Sequence, residues 1–180
     1  SFFCTNFVPR IVFDYSLNMD IDLVYLWVDG SDPVWRAKKA AYEQGGEPIA
    51  SEAVAEARFV NNDELKYSLR SVERYAPWIR HIYIVTDGQV PAWIDLTNPR
   101  VSIIDQAEIM PAEALPSFSS PAIEWSLDKI PGLSEYFLYA NDDMFMGRPV
   151  TPEDFFNSKG YPIVRLRKRK GNKRSDATIY

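Results

Sequence analysis

One cysteine and one histidine are present in 180 residues. A single Cys4 cannot close an intrachain disulfide, so the fold needs no oxidising compartment. His81 opens an apolar run and has no serine or cysteine partner near the acidic motifs described below, which excludes a serine- or cysteine-hydrolase arrangement built on it. The glycine-rich phosphate loops GxGxxG and Walker A are both missing. No stretch approaches the ~18 apolar residues of a membrane span. The first ten residues, SFFCTNFVPR, lack the long apolar core of a signal peptide. The expected location is cytoplasmic.

What is present is a globular composition, with 46% hydrophobic and 14% aromatic residues. The net charge is −5, but it is unevenly spread. Arg165 to Arg174, RLRKRKGNKR, holds seven Lys and Arg and no acid, leaving about −12 on the rest. An acidic body disfavours a nucleic-acid partner. It suits a site that binds cations, or anions through a bridging metal. The basic run is either a solvated tail or a contact to acidic lipid at the membrane periphery, or to a polyanionic product.

The hydrophobic pattern predicts alternating strands and helices. Ile21 to Val28, IDLVYLWV, reads as a strand buried on both faces, followed by the Asp29-Gly30-Ser31-Asp32-Pro33 turn. Val34 to Gln44 reads as a helix stopped by Gly45-Gly46, and Ser51 to Arg58 as a weaker one. Asn62 to Tyr75 is amphipathic, with Leu65, Leu69 and Val72 on one face and Asn61 or Asn62 as its cap. His81 to Thr86 and Val101 to Ile104 are further strands. A helix is expected over Ser120 to Ile130, a strand over Tyr136 to Ala140, a short helix over Pro152 to Phe156 and a last strand over Tyr161 to Leu166. The fold class is α/β with a mainly parallel twisted sheet and flanking helices. Residues 1–19 read as an extension, 20–157 as the core, and 158–180 as a last strand with a basic tail.

Ligands in such sheets bind beyond the carboxyl ends of the strands. Three apolar strands end in acids there: at Asp29, at Asp87-Gly88, and at Asp142-Asp143. Asn141-Asp142-Asp143 has two readings. It is a site for a hard cation, which takes carboxylates together with phosphate oxygens, or a solvated turn. The apolar flanks FLYA and MFM weigh against free solvation. The Trp27-Val28-Asp29-Gly30-Ser31-Asp32 turn could face a nucleotide. Equally, it is a strand-to-helix turn in which Asp32 caps the next helix. Lys66 and Arg70 could neutralise a diphosphate, or simply pair with Asp63 and Glu64 along the helix.

Four segments together resemble the Stealth family of capsular-polysaccharide phosphotransferases, related to the lysosomal-enzyme N-acetylglucosamine-1-phosphotransferase. They are IDLVYLWVDGSDPVW, NNDELKYSLRSVERYAPWIRHIYIVTDGQVPAWI, NPRVSIID and LPSFSSPAIEWSLDKIPGLSEYFLYANDDMFMGRPVTPEDFF. The resemblance covers about residues 20 to 157, the family's first two conserved regions. It implies an incomplete glycosyltransferase-like, Rossmann-type nucleotide-sugar fold. It implies transfer of a sugar 1-phosphate from a UDP-sugar to a glycan hydroxyl, with Mg²⁺ or Mn²⁺; the alternatives are a metal-dependent glycosyltransferase that transfers the sugar itself and a chain that binds nucleotide without catalysis. Carried over, the WVDG turn falls on Trp27, Val28, Asp29 and Gly30, continuing into Ser31 and Asp32. The helix arginine is Arg70 and the TDG turn is Thr86, Asp87 and Gly88. The metal-binding acids are Asp142 and Asp143. Asp29, Arg70 and Asp142 are the expected catalytic groups.

Departures from the family pattern accompany these matches. Ser119 stands where an Asn is expected, and Asp128-Lys129 where a His-Arg pair is. The family's histidine-bearing third and fourth regions are not in this sequence. A general base is therefore expected beyond Tyr180, and the 180-residue chain is expected to bind nucleotide without turnover.

Overall fold

A computed structural model describes residues 19–45 and 61–165 of the chain. The predicted helix over Ser51 to Arg58, the N-terminal extension apart from Met19, and all of the basic run except Arg165 lie outside the described residues.

Four strands form one parallel sheet: β1 (Ile21–Leu26), β2 (Ile82–Thr86), β3 (Val101–Asp105) and β4 (Tyr136–Asn141). Their order is β3-β2-β1-β4. The chain therefore lays down β1, β2 and β3 in one direction, then returns to place β4 on the other side of β1. In register, Leu26 lies beside both Val85 and Asn141, and Thr86 beside Asp105. All four carboxyl ends thus emerge at one edge, with the reversal of strand order between β1 and β4.

Both faces of β1 are buried, which is why its sequence does not alternate. Ile21, Leu23, Tyr25 and Trp27 point to one face and pack with Leu65, Leu69 and Val72 of helix α2 (Glu64–Tyr75). Val24 points to the other, with Tyr83, Val85, Ile104, Leu127 and Ile130. Helix α1 (Pro33–Gln44) is capped by Asp32, whose carboxylate accepts from the Val34 amide at 2.8 Å. The remaining helices are short: α3 (Gln106–Ile109) and α4 (Ser120–Glu124). Among the described residues no helix is long and apolar enough to cross a membrane.

The fold class is as expected, and four local expectations are corrected. The helix over Ser120 to Ile130 breaks after Glu124. The Ser126 amide reaches only to Ile123, and a 3-10 turn follows at Leu127–Lys129. Leu127 and Ile130 are both buried in the core. The short helix after Pro152 is a 3-10 turn, Pro152–Asp154, closed by a Thr151/Asp154 capping box. The last strand is absent within Tyr161–Arg165. Only an antiparallel bridge joins Phe156 to Pro162, whose ring has no N–H to extend a ladder. Asp63, rather than Asn61 or Asn62, is the α2 N-cap, with φ +64° and no side-chain cap bond. Asn61 Oδ1 accepts from the Asp63 amide and Glu64 accepts from the Asn62 amide, so these side chains close the preceding turn instead.

His81 behaves as a structural residue. It lies just before β2, at the strand end opposite the acidic motifs. One ring nitrogen is 2.9 Å from Ser102 Oγ, and its ring centroid is 4.5 Å from that of Tyr83.

Candidate active site

A cleft of about 280 Å³ opens at the carboxyl edge of the sheet. Its walls come from four places in the sequence: Leu26–Val28 after β1, Val85–Asp87 after β2, Gln106 after β3 and Asn141–Asp143 after β4. The Ser117–Ser120 region and Ile123 close the side next to Trp35 of α1. Phe118 packs edge-on to Trp35, with ring centroids 5.6 Å apart, and also meets Tyr42 at 5.3 Å.

Of the residues singled out in the sequence, Trp27, Val28, Thr86, Asp87, Asp142 and Asp143 line this cleft. Asp29, Gly30, Ser31, Asp32 and Gly88 do not; they build the turns behind its wall. Asp29 Oδ1 accepts from the amide and hydroxyl of its neighbour Ser31, at 2.9 and 2.7 Å. Asp32 is held below the usual carboxylate range by a hydrogen bond from Gln89 first, then by the Val34 amide. Gly88 adopts φ +71°, which a side chain would resist, and so turns the chain sharply after Asp87. Arg70 stands apart from the cleft on the exposed face of α2, its guanidinium 5.4 Å from the centre of the Tyr67 ring. Leu65, Ser68, Leu69 and Val72 take the buried face of that helix. Lys66 pairs with Asp63 at 3.8 Å, the helix pairing that its spacing suggests.

Gln89 joins the first two turns. Its Oε1 accepts the Asp29 amide at 2.9 Å, while its Nε2 donates to the Asp29 carbonyl at 3.0 Å and to Asp32 Oδ2 at 2.9 Å. The acidic turn after β4 is fixed from α2. The Ser68 hydroxyl donates to the Met144 carbonyl, and the Met146 amide donates to Ser71 Oγ at 2.9 Å. Because Ser68 gives its only proton to Met144, the Tyr25 hydroxyl is the donor in the 2.7 Å bond between them. Burial pushes the Tyr25 phenol up to about 12, against a lowering by Ser68, with the Asp142 charge adding to the rise.

Asp142 is half-buried and Asp143 exposed. Burial raises the Asp142 carboxyl above its ordinary range, and the adjacent Asp143 charge raises it further. Beside them the Tyr139 hydroxyl donates to Glu124 Oε1 at 3.0 Å, with Asn141 Oδ1 a second acceptor at 3.1 Å. Burial and then the Glu124 carboxylate hold that phenol well above its usual range. No group of three or more His, Cys, Asp or Glu among the described residues could cage a metal ion. Two adjacent carboxylates, one with its charge disfavoured, instead fit a hard cation that completes its shell with phosphate oxygens and water.

Residues 19–47 match conserved region 1, and residues 58–164 conserved region 2, of the Stealth proteins. The chain belongs to the Stealth family. Among its relatives, an exopolysaccharide phosphotransferase of Streptomyces coelicolor is 56% identical over 159 residues, covering 87% of this chain and 26% of the relative. The exopolysaccharide phosphotransferase cps2G of Lactiplantibacillus plantarum is 51% identical over 143 residues, covering 79% of this chain and 41% of the relative. The capsular polysaccharide phosphotransferase SacB of Neisseria meningitidis serogroup A is 42% identical over 159 residues, covering 88% and 29%. The chain thus spans well under half the length of these Stealth relatives.

The site of this Stealth chain also contains residues that sequence reasoning did not select. Gln89, Gln106 and Phe118 follow or separate regular elements and look like ordinary loop residues. Glu124 looks like any exposed helical acid. For Gln106 alone a signal was available, since it directly follows the acid that ends the third strand.

Proposed function

We propose that this chain provides the donor site of a sugar-1-phosphate transferase acting in capsular or surface polysaccharide synthesis. The donor is a UDP-sugar, UDP-N-acetylglucosamine or a similar hexose derivative, and the acceptor is a glycan hydroxyl. The observation that carries this reading is the position of Asp142 and Asp143. They share one cleft with the ends of β1 and β2, at the point where strand order reverses. The names of the relatives, exopolysaccharide and capsular polysaccharide phosphotransferases, support the reaction class.

In this reading the acceptor oxygen attacks the β-phosphorus of the donor. The bond to the bridging oxygen breaks, UMP leaves, and the sugar remains attached through a phosphodiester. Such transfer depends on positioning and charge stabilisation more than on covalent chemistry by the protein. A Mg²⁺ or Mn²⁺ ion held by Asp142 and Asp143 would offset the charge of the diphosphate. Trp27, Val28, Thr86 and Asp87 hold the nucleotide side, and the Gln89-clamped turns keep that wall in place. Arg70 would act on phosphate only if the donor or a further part of the protein reaches the exposed face of α2. The acceptor proton needs a base, and His81 stands at the wrong end of the sheet to take it.

Product analysis on the full-length gene product tests the reaction. UMP and a phosphodiester-linked sugar support the proposal, whereas UDP and a glycoside would replace it with ordinary glycosyl transfer. For the 180-residue chain itself, the expected result is donor binding with no UMP released.

A further inference from the structure

Two buried side-chain atoms among the described residues have no hydrogen-bond partner in the protein: Asp87 Oδ2 and Gln106 Nε2. Folded proteins leave few such atoms, and each one calls for a physical explanation. Both residues line the same cleft. Asp87 follows β2 directly and Gln106 follows β3 directly. Thr86 and Asp105, the residues before them, are register partners at the ends of β2 and β3, strands that lie about 4.8 Å apart. The cleft therefore holds an unpartnered acceptor and an unpartnered donor on neighbouring strand ends.

Neither atom is free to turn away. The Asp87 side chain is 9% exposed, and its other oxygen, Oδ1, accepts from Lys38 Nζ at 2.5 Å. Gln106 is 2% exposed and begins α3, where its carbonyl accepts from the Met110 amide. Aromatic surface is close by, from Trp27, Trp35 and Phe118. One acceptor and one donor on neighbouring strand ends, near aromatic rings, suit the polar edge of a planar heterocycle. Because Lys38 occupies Oδ1, a single acceptor oxygen remains. Guanine would bring two adjacent N–H groups to that one oxygen, leaving the second unpaired. Uracil leaves none, since it offers N3–H beside a carbonyl; cytosine and adenine each offer an amino N–H beside a ring nitrogen, so the AMP arm of the test below separates pyrimidine from adenine.

We propose that Asp87 Oδ2 and Gln106 Nε2 read the base of a pyrimidine nucleotide, Oδ2 accepting its N–H and Nε2 donating to the neighbouring acceptor on the ring. This rests on the donor-site reading above and adds to it the residues that select the base.

The test compares binding of UMP, CMP, AMP, GMP and ribose 5-phosphate to the protein and to its Gln106→Met variant, with melting temperatures for both. The pyrimidine nucleotides should bind more tightly than the purine ones. Gln106→Met should weaken UMP about tenfold, leave ribose 5-phosphate unchanged, and keep or raise the melting temperature, because it removes an unpartnered amide from a buried position. Tighter binding of CMP than UMP would assign the same pair to cytosine and still support it. Purine nucleotides binding as well as pyrimidines would overturn it, even if the variant failed to fold. Unchanged UMP affinity in Gln106→Met, or equal loss of UMP and ribose 5-phosphate, would also overturn it while leaving the donor-site reading standing. No binding of any nucleotide by the unaltered protein would remove both.

Discussion

Gln89 holds both backbone polar groups of Asp29, accepting from its amide and donating to its carbonyl. The two residues are 60 positions apart in sequence and belong to the turns after different strands. The clamp makes those turns one body, so the wall formed by Trp27, Val28, Thr86 and Asp87 keeps its shape without a ligand. Gln89 is itself buried, and the Thr86 hydroxyl donates to its carbonyl at 2.9 Å.

Gln89→Leu should therefore affect binding more than stability. The two bonds to the Asp29 backbone are worth about 2 kcal/mol together, and water can replace part of that at the partly exposed Asp29. A fall in melting temperature of about 4–8 °C is expected, with a larger proportional loss in UDP affinity. Thermal melts and titration calorimetry on the same sample check this. Full UDP affinity in the variant would show that the clamp does not shape the site.

A second lock lies at the opposite end of the strands and should act on stability alone. Asp22 is 0% exposed and accepts from Arg80 Nε and Nη2 at 2.9 and 2.5 Å, and from the Ser134 amide and hydroxyl at 2.7 and 2.8 Å. Arg80→Met leaves that carboxylate buried with only Ser134 to bind it. Because Arg80 is itself partly exposed, the cost should be about 2–3 kcal/mol, below the ~3–5 kcal/mol of breaking a fully buried pair. The double variant Asp22→Asn/Arg80→Met should recover part of it. Denaturant titration measures both, and nucleotide affinity at low temperature should stay unchanged.

The raised carboxyl of Asp142 gives a pH dependence of definite sign. A carboxyl whose pKa is higher in the folded state than in the unfolded one binds its proton more readily when folded. Without cation, stability therefore falls as pH rises from the ordinary carboxylate range, near ~4, through the raised Asp142 value. Asp143→Asn removes the neighbouring charge and should flatten this fall. Melting temperatures across pH 4 to 8, in chelator, should then differ by about 1–3 °C at the upper end. Identical profiles would show that the two carboxylates do not interact.

Much of the sheet was legible because strands buried on two faces leave near-continuous apolar runs; Ile21 to Leu26 and Ile82 to Thr86 show this directly. The acids after β1, β2 and β4 were legible because charge at the end of such a run is costly unless it has a purpose. What the sequence hid was long-range or conformational. Gln89 and Gln106 gain their meaning from partners or neighbours on other strands, which no local pattern encodes. The break after Glu124 is invisible because Ile123, Leu127 and Ile130 keep helical spacing while the backbone tightens. Asp29 and Asp32 show the reverse: acids that suggested a ligand site are engaged in their own turn and helix cap.

In the proposed site Asp142 and Asp143 couple a divalent cation to a UDP-sugar in the cleft at the strand ends. The most direct measurement is the UDP-N-acetylglucosamine affinity of the protein and of Asp142→Asn, each titrated with and without Mg²⁺ at pH 7.5. Mg²⁺ should tighten binding to the unaltered protein by about tenfold or more, the effect of roughly one good charge-assisted contact. It should have little effect on the variant. The same Mg²⁺-dependent gain in both proteins would rule out this role, and would leave the acidic pair as no more than a turn after the fourth strand.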